Sequence, residues 1–243
     1  WYRDTPEEHK QVNAAERELI QRSLGGARPA RSGKVPWSVI LRNPGTWTLG
    51  IMYLCYGWCL AIYLDWLPTY LREFRGYDLK QMGLYASLPL LAGVVGDLLG
   101  GWVSDRWAER SGNLKLARQA VGAIGFAIAA LGIVPATLTS NPETCVVFTC
   151  LAVFGLEITV GVSWAIPLDV GGDFAGSVSA VMNTFGNIGG AVSTVALGYI
   201  VKSLGWNVPF YVAAGFCTVG AILYLGIDAS RPLFKSEPGA TSK

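Results

Sequence analysis

Residues 119–201 read QAVGAIGFAIAALGIVPATL, then TSNPETCVVFTCLAVFGLEITVGVSWAIPL, then DVGGDFAGSVSAVMNTFGNIGGAVSTVALGYIV: 83 consecutive positions without a lysine or arginine. A domain folded in water needs charge on every exposed face, so a tract this long has no place on a soluble surface. Shorter tracts, 43–71, 81–105 and 203–230, also lack basic residues. A hydrocarbon core about 30 Å thick takes about 20 apolar residues of helix to cross. Six segments meet that requirement, roughly 46–70, 82–103, 119–138, 143–168, 175–201 and 207–227. The reading is an all-α membrane protein of six transmembrane helices.

The flanks differ in kind. Residues 1–45 are expected to form a cytoplasmic segment with a polar helix, residues 46–228 the bundle and residues 229–243 a cytoplasmic tail. Thr5-Pro6-Glu7-Glu8 has capping-box spacing with Pro at the first helical position, which predicts a helix from there to about Ser23, stopped by Gly25-Gly26. A basic linker, 27–35, follows. The first 45 residues carry no apolar leader, and the chain begins with Trp, as a piece of a longer protein would. Orientation follows the basic residues. With the N-terminus inside, inner segments hold 15 lysines and arginines and outer ones hold 4. Both termini are therefore expected in the cytoplasm. Six spans divide into two triplets, 46–138 and 143–227, the count expected of two inverted three-helix repeats.

The second connection reads Gly100-Gly101-Trp102-Val103-Ser104-Asp105-Arg106-Trp107-Ala108-Glu109-Arg110. Gly101 permits close helix approach, Asp105 suits a helix N-cap or a cation, and Arg106 and Arg110 sit at headgroup level. Such a latch can break and reform as two halves rock; an ordinary positive-inside loop has the same composition. Three acids lie within spans, where ionisable groups are costly and mark function by default. Glu157, near mid-span, is the candidate for proton coupling, against a structural hydrogen-bonded Glu. Asp97 is assigned to the latch through Arg106. Asp65, near an outer end, reaches water. Asn183 and Asn187, four apart, share a face and serve either a polar substrate or helix packing. Tyr53, Tyr56, Leu60 and Tyr63 fall on one helix face. Their hydroxyls suit a polar cavity, with plain packing as the other reading.

Several of these segments, in order, resemble the anion:cation symporter family of the major facilitator superfamily. The Gly100–Arg110 run is similar to the superfamily's signature loop in its second-half copy. Asp65-Trp66-Leu67-Pro68-Thr69-Tyr70-Leu71 with Arg75-Gly76 resembles the end of that family's seventh helix. Gly83 to Asp105 is similar to its eighth, Ser163-Trp164-Ala165-Ile166-Pro167-Leu168-Asp169 to the end of its tenth, and Gly176-Ser177 with Met182 to Gly190 to its eleventh. Trp1 to Pro6 with Val12-Asn13 and Glu16 resembles the start of its central loop. Two departures stand out: Asp169 is followed by Val170-Gly171-Gly172 in place of Ala-Pro, and Asp97 occupies a usually neutral position. The resemblance implies roles in substrate binding for Asn183 and Trp164. It also implies that a missing N-terminal six-helix half supplies the cation for an anionic substrate and the main coupling acid.

The expected function is proton-coupled symport of organic anions, sugar acids or other carboxylates, by alternating access in a bacterial inner membrane, with sodium as the other candidate ion. Substrate contacts are assigned to Tyr53, Tyr56, Trp164, Asn183 and Asn187. An intramembrane hydrolase would need a nucleophile beside a base, and the single histidine, His9, lies in the polar leader. A half-transporter that only binds or scaffolds, or a homodimer that builds a full path, has the same six spans. No enzyme activity, metal, cofactor or nucleic-acid partner is expected. The five cysteines, 55, 59, 145, 150 and 217, lie in apolar runs and read as free thiols.

Overall fold

The computed structural model describes residue 3, residues 6–23 and residues 34–234, which fall into two compact units, Trp1–Pro36 and Trp37–Lys243. In the first unit the expected single helix is two pieces. Pro6–Glu8 makes one 3₁₀ turn, and helix α1 begins only at Ala14 and runs to Ser23. Asn13 is the reason: its Oδ1 accepts the Glu16 N–H at 2.8 Å, which fixes the helix start there. The Thr5 cap, Gly25-Gly26, most of the 27–35 linker and residues 235–243 lie outside the described residues.

In the second unit a short helix, α2 (Trp37–Arg42), leads into the first span, α3 (Pro44–Phe74). Asn43 caps it, its side chain accepting from Gly45 N, and Pro44 takes the N1 place where no N–H is needed. Further along, Pro68 lacks the N–H that a regular helix would donate to Leu64. The chain responds with wide π turns at Ile62–Trp66 and Tyr70–Phe74. The remaining spans are α4 (Leu79–Ser111), α5 (Leu114–Leu138), α6 (Pro142–Gly171), α7 (Ala175–Leu204) and α8 (Asn207–Gly226). Helices α6 and α7 form one apolar run of 63 residues interrupted only by the 3₁₀ turn Gly172–Phe174. At 1.5 Å per residue that run would be about 95 Å long, some three bilayer cores. It reverses at Gly172, whose φ of 48° and ψ of −125° suit glycine, so it makes two spans and the unit has six.

The six helices pack in a pattern with an internal exchange symmetry. Helix α4 lies on α6 and α3 on α7; α5 lies on α6 and α3 on α8; α5 also meets α8. Swapping the triplet α3–α4–α5 with α6–α7–α8 leaves this set of pairs unchanged, and the two triplets start at opposite ends of the bundle. That is the inverted repeat read from span counting. Crossings close through glycines: a Cβ at Gly57 would strike the Gly186 carbonyl, and one at Gly100 the Ile158 carbonyl. Helix α4 turns Leu84, Leu91, Val94, Leu98 and Trp102 outward, while α3 is mostly enclosed. An apolar outer face of this extent fits a multi-pass membrane protein. The end that carries Asn43, Ser111 and Gly226 is called the basic end below; the opposite one is the far end.

Candidate functional site

Helix α3 sets the site because two cavities flank it. One, about 440 Å³, lies between α3 and α7 and is lined by Tyr53, Tyr56, Leu60, Asp65, Asn183, Asn187 and Thr194, among others. Tyr53 and Tyr56 stack, with ring centroids 4.9 Å apart. From α6, the Trp164 Nε1–H donates to Tyr53 Oη at 2.9 Å with the indole edge-on to the phenol, which locks the ring in place. Four of the five assigned substrate contacts therefore line one space, and Trp164 stands behind it holding Tyr53. The two asparagines are not equivalent. Asn187 Nδ2 donates back to the Asn183 carbonyl at 2.8 Å, whereas the Asn183 amide has no partner among the described residues and is exposed. The tyrosine face departs from expectation at Tyr63, which is buried in the core. A π turn holds one more residue than an α turn, so the cavity-facing register passes to Leu64 and Asp65. Asp65 accepts a hydrogen bond from the Thr194 hydroxyl and joins α3 to α7 at the far end of the cavity.

The second cavity, about 340 Å³, opens between α3, α4 and α6 and holds Glu157 and Asp97. Tyr56, Leu60 and Leu64 line both spaces. The Tyr56 hydroxyl donates to Glu157 Oε1 at 3.0 Å, so Glu157 joins the aromatic pair through one bond. Asp97 belongs here and not to the latch. It lies nine residues before Arg106 on the continuous helix α4, about 13 Å along the axis, and Arg106 pairs instead with Glu109 at 3.1 Å in the open. Neither cavity has a lysine or arginine among its lining residues.

The basic-end cluster centres on a residue that sequence reasoning placed outside the spans. Helix α5 starts at Leu114, so Arg118 lies inside it and is 5% exposed. Its Nη1 donates to Asp105 Oδ1 at 2.6 Å and to Ser104 Oγ at 2.9 Å; its Nε donates to Asp169 Oδ2 at 2.9 Å. One guanidinium thus ties α4, α5 and α6 together. Asp105 is no N-cap, because α4 continues through the expected loop to Ser111. It does pair with a cation, but that cation is Arg118. Arg110 is exposed and has no partner among the described residues, and the tightest α4–α6 crossing lies at Gly100, one residue before Gly101. The available signal for Arg118 was its place as the last basic residue before the 83-residue desert.

The far end is held differently. Arg75 Nε donates to Tyr70 Oη at 2.8 Å, Nη1 to the Thr139 carbonyl at 2.8 Å and Nη2 to the Ala136 carbonyl at 2.9 Å. A cation on the C-terminal carbonyls of α5 also meets the negative end of that helix dipole.

Comparison with known proteins agrees with this architecture. The profile of the Major Facilitator Superfamily matches residues 1–194. The chain is 42% identical over 229 residues to the probable sulfoacetate transporter SauU of Cupriavidus necator, covering 94% of this chain and 53% of that protein. It is 30% identical over 239 residues to the probable galactarate/D-glucarate transporter GudP of Escherichia coli K12, covering 92% of this chain and 49% of that protein. With the chloroplastic ascorbate transporter of Arabidopsis thaliana it shares 28% over 221 residues, 90% of this chain and 40% of that protein. The chain spans about half the length of the curated relatives it matches.

Proposed function

Because this chain belongs to the major facilitator superfamily, we propose that it is the C-terminal half of a secondary transporter for small organic anions. The observation that carries the reading is the polar cavity between α3 and α7, with its free Asn183 amide and its pair of ordered tyrosines. Relatives named as transporters of sulfoacetate, galactarate and glucarate, and ascorbate support the anionic class. The α3 face forms one wall of a central site whose other wall is an N-terminal six-helix half. That half supplies the cation an anion requires in a low-dielectric cavity, since this wall offers only neutral donors. Tyr53, Tyr56, Asn183 and Asn187 contact substrate, and Trp164 fixes Tyr53.

Glu157 is a secondary proton carrier beside that site, the main coupling acid lying in the N-terminal half, and it communicates with the site through Tyr56. The Arg118 cluster is the conformational latch: its two carboxylates come from neighbouring helices and release when those helices separate at the basic end during rocking. Both termini face the cytoplasm, as the basic bias requires, and the membrane is a bacterial inner membrane. Uptake of a panel of organic acids into proteoliposomes that hold the full-length transporter, with both halves present and a pH gradient imposed, tests the reading. Saturable uptake of at least one acid is expected, with Asn183→Ala raising the half-saturating concentration and Glu157→Gln weakening the response to the gradient. Absence of uptake for every acid, with the protein folded, would favour a non-transporting membrane module.

A further inference from the structure

A third cavity, about 440 Å³, lies at the basic end, apart from the tyrosine face. Its walls are the ends of α3, α6, α7 and α8, and residues 227–233, which leave α8, cross its mouth. Those residues form a strap with its own anchors. Ile227 and Ala229 are buried, the Leu233 N–H donates to the Val170 carbonyl at 2.8 Å, and the Gln119 amide donates to the Leu225 and Ile227 carbonyls at 2.7 and 2.8 Å.

The lining divides by chemistry. Leu49, Ile166, Val170 and Val178 give an apolar body. The polar groups are donors with capacity to spare. Thr46 is 3% exposed, and its hydroxyl is buried with no hydrogen-bond partner among the described residues, a state that costs free energy unless something occupies it. Asn43, one turn before it, uses Oδ1 to cap α3, and its Nδ2 has no partner among the described residues. Arg231 spends Nε on Asp228 at 3.0 Å, and neither Nη has a partner among the described residues. The acid at the mouth is already satisfied: Asp228 accepts from Ser230 N and Oγ and also pairs with Lys115 at 3.4 Å. Two cations against one carboxylate leave the mouth with one net positive charge.

From this arrangement we propose that the basic-end cavity is a second binding site, for a monoanionic amphiphile such as a medium-chain carboxylate. The head sits at Arg231, Asn43 and Thr46, and the chain lies against the four aliphatic side chains. The volume lies within the range of about 300–1,000 Å³ usual for small-molecule sites. An occupant wedges α3 against α7 and α8 beneath the strap, so it favours the arrangement of helix ends seen here over any other. The inference does not depend on what the tyrosine cavity carries.

The test is thermal unfolding of the protein in lipid nanodiscs, with octanoate, octanol or glutarate added. Octanoate raises the midpoint saturably, octanol raises it less and glutarate does not raise it. Thr46→Val weakens octanoate by about tenfold or more, the loss expected for a hydrogen bond to a charged head, and Arg231→Ala, whose side chain is 83% exposed, weakens it by about two- to fivefold. Val178→Phe, which fills the cavity and leaves the donors in place, abolishes the shift and guards against a donor variant that fails to fold. Equal shifts with octanol, or an octanoate shift unchanged in all three variants, would mean partition into the bilayer and would overturn the proposal. No octanoate shift in the unmodified protein overturns it too, including the case in which bilayer lipid already fills the cavity.

Discussion

Two arginines, Arg118 buried and Arg75 half-buried, hold the two ends of this bundle, and they do it by different means. Arg118 grips carboxylates on α4 and α6. Arg75 grips a phenol and two backbone carbonyls at the end of α5. Each guanidinium makes three hydrogen bonds, but only the first is neutralised. An ion pair between separate helices can open and find other partners when those helices part. Arg75, at the end of α3, also bridges separate helices, but its acceptors on α5 are neutral, so parting them strands no acid. Only the basic end therefore carries opposed charges that a parting of helices would expose, which is the feature the latch proposed for Arg118 uses.

The strongest break of this contrast is Arg118→Ala. It strands two acids, one of them largely buried, and should cost about 3–5 kcal/mol, read as loss of folded protein in a thermal or denaturant series. Arg75→Ala leaves only neutral acceptors, which water can satisfy, so about 1–3 kcal/mol is expected. If the Arg75 variant proved the less stable of the two, the ranking of the ends would be reversed. Within the Arg118 cluster, Asp169→Asn should outweigh Asp105→Asn. The Asp169 side chain is 19% exposed and that of Asp105 is 62%, so solvent already screens the Asp105 pair down to about 0–1 kcal/mol. Equal effects would show that geometry and not burial governs the cluster.

The smallest effect is expected at the strap. Hydrogen bonds from Ser230, with Lys115 nearby, hold the Asp228 carboxyl below its ordinary value. A group whose pKa is lowered by folding contributes stability above its unfolded value, about pH 4, and loses that contribution as pH falls through the folded value. Asp228→Asn should therefore lower the melting midpoint slightly at pH 7, with the gap to the parent protein closing in acid. A gap that does not change with pH would remove the carboxylate from the strap's stability.

Much of the candidate site could be read along the chain, because neighbours on a helix face are neighbours in sequence. Tyr53, Tyr56 and Leu60 share a wall as their spacing requires, and Asn183 and Asn187 share the facing one. The errors came where a local irregularity or a distant partner intervened. Pro68 draws in a π turn that moves Tyr63 off the face. Treating 104–118 as a connection hid the continuation of α4 to Ser111 and the start of α5 at Leu114, and with them the burial of Arg118. Asp97 was tied to the nearest cation in sequence, although the length of α4 keeps them apart and sets Asp97 beside Glu157.

By itself, the sequence determined that this protein lives in a bilayer, that six helices cross it, and which end carries the positive charge. Those properties are sums over contiguous residues: twenty apolar side chains set the free energy of a span wherever its neighbours lie. Only the tertiary structure decided which acid meets which arginine, which asparagine keeps a free amide, and that Thr46 has no partner among the described residues. These depend on the mutual register of helices whose contacting residues lie far apart in the chain, 101 residues for Tyr56 Oη and Glu157 Oε1 and 129 for Thr194 Oγ1 and Asp65. A displacement of a few ångströms between packed helices removes a hydrogen bond without changing the hydropathy of either.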